Sequence, residues 1–173
     1  SKYGYEDVAY TLLTNKTYPS WGYSIERGAT TIWERWDSCK PDGTIDYSAD
    51  KAGMNSLNHY SFGSISEWMF TNSLGIELDD ESAGFGHFVL QPEAFKNRDI
   101  DIDYAKGYYE SIHGTIKSDW SFDKDGGIVY KATVPANTTA TLYLPVEESA
   151  VVYEGKVPAK DADGVTFVKY EDG

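Results

Sequence analysis

The sequence has one cysteine, Cys39, in 173 residues. A lone thiol closes no internal disulfide and builds no thiolate metal site. Histidine is sparse as well: His59, His87 and His113 are scattered and show no ligand spacing. Positive charge is in deficit, with 15 Lys and Arg against 28 Asp and Glu and a formal charge of -13. A chain this acidic is repelled by phosphate backbones and anionic lipid surfaces, so neither nucleic acid nor a membrane is an expected partner. No apolar run has the roughly 20 residues of a membrane span. Ser1-Lys-Tyr-Gly4 carries no signal-peptide pattern, and nothing in the chain reads as a cofactor motif.

Aromatic residues, by contrast, are abundant at 15%, with 14 Tyr and 5 Trp. They concentrate attention on Gly28-Ala-Thr-Thr-Ile-Trp-Glu-Arg-Trp-Asp37, where Glu34 stands between Trp33 and Trp36. A carboxylate between two indoles is an odd choice for a solvated face. It suits a sugar site, in which a pyranose stacks on a ring while the acid moves a proton. The competing reading is a buried, paired glutamate in an aromatic core, since structural ion pairs also place carboxylates in such settings.

Along the chain, Tyr5, Val8, Ala9, Leu12 and Leu13 form one apolar stripe, which predicts a helix over about 4–14. Tyr18-Pro-Ser-Trp-Gly22 breaks it, and a short helical turn ends at Gly28. The β-branched run Thr30-Thr-Ile32 favours an extended path, on which Glu34 and Trp36 would share a face. Residues 37–55 read as a loop around Pro41-Asp-Gly43. Asp42, Asp46 and Asp50 are spaced four apart in it and fail the calcium-loop pattern. Leu57, Phe62, Ile65, Met69 and Phe70 predict a helix to Ser73, with Asn55, Ser56 or Asn58 as its cap and Gly75 as its end. His59 sits at its edge. A lone histidine there is more often structural than functional. From about Gly84 the texture is that of strands: Phe88–Pro92, Tyr108–His113, Thr115–Phe122, Ile128–Val134, Thr139–Leu144, Ala150–Tyr153 and Val165–Tyr170, with a turn at Asp123–Gly127. The expectation is an α+β chain, helical over 1–86 and all-β over 87–173. The helices are too few to close a core alone, and the last strand stops at an open edge, so the chain reads as cut at both ends.

The motif around Glu34, followed by Met54-Asn-Ser-Leu-Asn-His-Tyr-Ser-Phe-Gly63 and Glu67-Trp68, resembles the C-terminal part of bacterial α-L-rhamnosidases, glycoside hydrolase family 78. The resemblance continues through Gly84-Phe85, Gln91-Pro92, Tyr109–Gly114, Ile116–Trp120 and Val134–Ala140, and so covers nearly the whole chain in order. It implies the last helices of an (α/α)6 catalytic barrel over 1–86, followed by an antiparallel β-sandwich over 87–173. It also implies an inverting enzyme that removes terminal α-L-rhamnose from a rhamnose-containing saccharide or glycoside. Glu34 matches the family's general base. His59 matches a position near the bound sugar, and Trp33 and Trp36 match its walls. The family's general acid has no equivalent here, so the remainder of the barrel becomes an expected partner and the chain alone is expected to be inactive. Exposed helix faces could alternatively pair two copies of the chain. A second reading makes the β part a carbohydrate-binding module with Tyr109, Trp120 and Tyr143 on one exposed face. A third makes it a structural cap.

Overall fold

The computed structural model describes residues 4–47, 53–93 and 102–171. The chain divides into two compact units, Ser1–Tyr143 and Leu144–Gly173.

In the first unit, α1 is Glu6–Thr14, with Glu6 and Asp7 in the first turn where the helix dipole favours acidic groups. Its burial differs from the predicted stripe. Tyr5, Val8 and Leu12 are exposed, and the buried residue is Tyr10, set edge-on to Trp68 with ring centroids 4.8 Å apart. The apolar side of α1 therefore faces out of this chain. Helix α2, Trp21–Glu26, starts where the Ser20 hydroxyl accepts the Tyr23 N–H at 3.0 Å. This is ordinary N-capping, and it turns the Pro19-Ser20 breaker into a helix start.

Residues 30–36 form no strand, and a turn follows at once: Ser38 N donates to Arg35 O and Arg35 N to the Ser38 hydroxyl, both at 3.2 Å. The expected shared face of Glu34 and Trp36 is lost because this turn ends the period-two path. The predicted helix over 55–73 begins only at Ser61. A 3-10 turn, Ser61–Ser64, leads into α3, Ile65–Trp68, and a π turn, Met69–Ser73. None of the proposed caps serves. Asn55 is buried and donates to Ser38 O and Asp46 O, while Ser56 and Asn58 bond each other. Gly75 does end the run, at φ +67. A side chain there would also collide with Pro92 N at 2.1 Å, because Gln91 N bonds Gly75 O at 2.8 Å.

Six strands follow: β1 Ile76–Leu78, β2 His87–Leu90, β3 Tyr104–Ser111, β4 Gly114–Phe122, β5 Ile128–Thr133 and β6 Thr139–Leu142. Strand β1 is not among those expected from sequence; it pairs antiparallel with β2, Leu78 opposite Phe88. The sheets are β1-β2-β6 and β3-β4-β5. The second is antiparallel, as expected, with tight turns at Ile112-His113 and Asp123–Gly127. In the first, β6 runs parallel to β2, His87 opposite Thr139. This departs from an all-antiparallel arrangement because the chain reaches β6 only after crossing through the other sheet. Both sheets feed one core of Leu74, Ile76, Phe88, Leu90 and Ile116, with Ala105, Tyr130 and Ala140 against it.

The end of the helical run is stitched to β4. Trp120 Nε1 donates to Ser73 O at 2.7 Å, and the Ser118 hydroxyl donates to Leu74 O at 2.6 Å. Both donors are buried.

In the second unit, β7 Tyr153–Glu154 pairs antiparallel with β8 Val157–Pro158. Residues 165–170 form no strand, contrary to expectation; they are exposed, and no partner edge is offered to them among the described residues.

Candidate functional site

Segment 31–34 and segment 56–59 lie side by side as a short strap. Ile32 O accepts His59 N–H at 2.7 Å, Glu34 N donates to Ser56 O at 2.9 Å, and the Thr31 hydroxyl bonds Leu57 O. The two motifs singled out in the sequence, separated by more than twenty residues, are thus brought together by backbone pairing.

Glu34 is half-buried, and its Oε2 accepts the Ser56 N–H at 2.7 Å. Among the described residues it makes no ion pair, and its neighbour Arg35 turns elsewhere. Arg35 Nη2 donates to Asp46 O at 2.6 Å, and its Nε lies 3.9 Å from Asp37. The competing reading, a glutamate locked in a buried salt link, does not describe this carboxylate. A backbone N–H on one oxygen fixes its direction and leaves the other oxygen able to accept a proton.

Beside the strap is a cavity of about 290 Å³, lined by Trp21, Ile25, Thr31, Trp33, Arg35 and Trp36 among others. A second, more open hollow is lined by Ile32, Asn58, His59, Tyr60 and Ser61. Ile32 contributes to both. Glu34 lines neither. Its carboxylate is tied to the other half of the strap by the Ser56 N–H.

The two tryptophans differ. Trp36 stacks on Phe62 at 5.0 Å and meets Trp21 edge-on at 4.8 Å, so it is structural as well as cavity-lining. Its indole N–H is buried and unpartnered among the described residues. Trp33 lines the same cavity, with no ring partner among the described residues. His59 stacks on Tyr60 at 5.7 Å, and its Nδ1 accepts a long 3.5 Å bond from Ser61 N. Trp21 was missed as a lining residue: its position after a Pro-Ser breaker signalled only a turn, and nothing local linked it to Trp36.

The loop over 37–47 braces the strap, with Arg35 Nη2 and Asn55 Nδ2 both donating to Asp46 O. Asp42 accepts Thr44 N–H and the Thr44 hydroxyl at 2.9 and 2.7 Å. Those hydrogen bonds to the Thr44 side chain and backbone hold its carboxyl below the usual carboxylate range. Asp46 pairs with Lys40 at 3.6 Å. Asp50 lies outside the described residues. No group of three candidate metal ligands occurs among the described residues.

The exposed aromatic face expected of a binding module is not formed by Tyr109, Trp120 and Tyr143. Trp120 is 2% exposed and turned inward. Tyr109 stands opposite Ile116 and packs on Phe85 at 4.7 Å. Tyr109 and Tyr143 remain 41% and 43% exposed, without the third ring the face would need.

Residues 1–73 match the model of the bacterial α-L-rhamnosidase six-hairpin glycosidase domain, and residues 75–158 that of the bacterial α-L-rhamnosidase C-terminal domain. The chain belongs to the bacterial α-L-rhamnosidase family. It is 39% identical over 98% of its length to an α-L-rhamnosidase of Streptomyces avermitilis, and 37% identical over 86% to one of Alteromonas sp. (strain LOR). The crystal structure of the Streptomyces avermitilis α-L-rhamnosidase complexed with L-rhamnose covers 99% of this chain at 36% identity, with a TM-score of 0.73. The α-L-rhamnosidase of Dictyoglumus thermophilum covers 94% at 31% identity, with a TM-score of 0.71. The chain spans about 15% of the length of the curated relatives it matches. In this family frame, the break between the two matched regions falls at Leu74, the residue whose carbonyl β4 holds.

Proposed function

We propose that this chain is part of an inverting glycoside hydrolase that removes terminal α-L-rhamnose from glycans or glycosides. Glu34 is the general base and withdraws a proton from the attacking water. Trp33 and Trp36 wall the sugar, and His59 binds at its rim. The general acid comes from outside these 173 residues. Inversion needs the two carboxyls roughly 6.5–9.5 Å apart, with water held between the base and the anomeric carbon.

One observation supports this reading: backbone pairing joins the Glu34 segment, whose neighbours Trp33 and Trp36 line one cavity, to the His59 segment, which lines another, with Glu34 hydrogen-bonded and free of ion pairs among the described residues. The outward apolar side of α1 supports a further part of it. Such a surface rarely stays in water. We assign it to contact with the remainder of an (α/α)6 barrel, of which residues up to about 74 are the last helices. The residues beyond form a β-sandwich that caps the barrel. The antiparallel pairing of β1 with β2 favours this division over one near residue 86.

The test is hydrolysis of an aryl α-L-rhamnoside, with the product anomer followed by NMR. The full-length protein is expected to release β-L-rhamnose first. The 173-residue chain alone is expected to show no turnover. Turnover by the isolated chain, or release of the α-anomer first, overturns the assignment. Light scattering on the isolated chain tests α1: a homodimer would show that a second copy can cover the same face.

A further inference from the structure

Glu34 and Ser56 meet twice. The Ser56 carbonyl accepts the Glu34 N–H at 2.9 Å, and the Ser56 N–H donates to Glu34 Oε2 at 2.7 Å. The first bond belongs to the backbone pairing of the strap. The second is of a different kind, because it gives a backbone donor to a side chain. A glutamate side chain turns about several bonds and has many staggered forms open to it. The Ser56 amide holds this one where its own backbone is already anchored.

The donor is itself held from both sides. Before it, Asn55 is buried, and its Nδ2 donates to Ser38 O at 2.8 Å and to Asp46 O at 3.0 Å. Ser38 is bonded in turn to Arg35, the residue after Glu34. After it, the Ser56 hydroxyl accepts the Asn58 N–H at 3.2 Å and donates to Asn58 O at 3.0 Å. A serine hydroxyl that bonds backbone two residues on is a common turn device. That role accounts for the bend at 56–58. It does not account for the same residue holding Glu34 by both its carbonyl and its amide.

We propose that Ser56 is a positioning residue for the Glu34 base. Its hydroxyl steadies its amide, the amide fixes Oε2, and Oε1 is left aimed at the attacking water. A base works only when the accepting oxygen is within hydrogen-bond reach of the proton it takes. Ser56 touches neither the sugar nor the water; it acts through Glu34. The His59 N–H is held separately, by Ile32 O at 2.7 Å, so the sugar-binding rim does not depend on the Ser56 hydroxyl. The inference rests on the reading of Glu34 as the general base, and the experiment keeps the two apart.

The test is a cycle in the full-length protein: Ser56→Ala, Glu34→Gln and the double variant, assayed on an aryl α-L-rhamnoside. Ser56→Ala keeps the amide and removes the hydroxyl that steadies it. Its kcat is expected to fall about tenfold or more, since a misplacement of about 1 Å can cost about 10²-fold. KM should stay within about twofold, the mark of an interaction that matters only in the transition state. The melting temperature should move by less than about 2 °C, because both hydroxyl bonds are exposed. Ser56→Thr keeps the hydroxyl and should restore kcat to within about twofold of the parent. In the Glu34→Gln background, Ser56→Ala should lower kcat no further, because residues that act as a unit are not additive. A kcat for Ser56→Ala within about twofold of the parent, no rescue by threonine, a melt lowered enough to explain the loss, or a full further loss on top of Glu34→Gln would overturn the proposal. A harmless Glu34→Gln would overturn the base reading and this inference with it. A damaging Glu34→Gln beside a harmless Ser56→Ala would overturn this inference alone.

Discussion

Replacing Ser118 with alanine tests the stitch between the helical run and the sheet. The Ser118 side chain is fully buried; its hydroxyl donates to Leu74 O at 2.6 Å and lies 3.0 Å from the Tyr130 hydroxyl. Alanine removes one oxygen and leaves almost no cavity, so the packing contribution is small. What remains is a buried Leu74 carbonyl without its donor. An unsatisfied buried polar group costs about 1–3 kcal/mol. Loss of a partner for Tyr130 adds to this, so about 2 kcal/mol is expected for Ser118→Ala. For a chain of this size 1 kcal/mol moves the melting temperature by about 2–4 °C. The melt, followed by circular dichroism, should therefore fall by roughly 4–8 °C. Tyr130→Phe and the double variant complete a cycle. If the two hydroxyls act together, the coupling should exceed about 0.5 kcal/mol. A Ser118→Ala variant within about 0.5 kcal/mol of the parent, the range of ordinary surface substitutions, would refute the reasoning.

Other consequences follow from the same structure. Gly75→Ala places a methyl against Pro92 N in a left-handed backbone, and should cost more than about 3 kcal/mol or prevent folding altogether, read by urea denaturation. Trp36→Ala should destabilise by about 3 kcal/mol because its stack with Phe62 and Trp21 is lost, whereas Trp33→Ala should stay near the parent stability. Equal melts for the two variants would remove the distinction drawn between them. Burial raises the phenol of Tyr130 above its ordinary 10.0, and the Ser118 hydrogen bond only partly opposes this. A raised folded value means stability is intact below pH 10 and is lost as pH climbs through the folded value, because the unfolded chain gives up its proton first. Tyr130→Phe should flatten that alkaline loss.

Much of the fold could be read from local chemistry. The first helix, the arrest at Gly75 and the β3-β4-β5 hairpins have signals within a few residues: an apolar stripe, a left-handed glycine, alternation around tight turns. What escaped depends on distant partners. Strand β1 is three residues long and is a strand only because β2 lies beside it. The parallel β2–β6 pair joins residues about fifty positions apart, which no local pattern encodes. The helix start failed for a related reason: Ser56 and Asn58 resemble caps, but the strap claims the Ser56 backbone, and the Ser56 hydroxyl bonds the Asn58 backbone. At the candidate site, the residue types around Glu34 pointed to sugar chemistry. The alternation expected to aim Glu34 and Trp36 together was broken by the Arg35–Ser38 turn, and Trp21 and Phe62 joined Trp36 through tertiary contact alone.

The central claim is that Glu34 takes a proton from water, and Glu34→Gln in the full-length protein tests it most directly. Glutamine keeps an oxygen for the Ser56 N–H, so the strap and the melt should survive. It cannot accept the proton. A fall in kcat on an aryl α-L-rhamnoside of about 10²–10⁴-fold is expected for loss of a general base. A kcat within about tenfold of the parent, with the fold intact, would contradict the account and leave Glu34 as a strap residue.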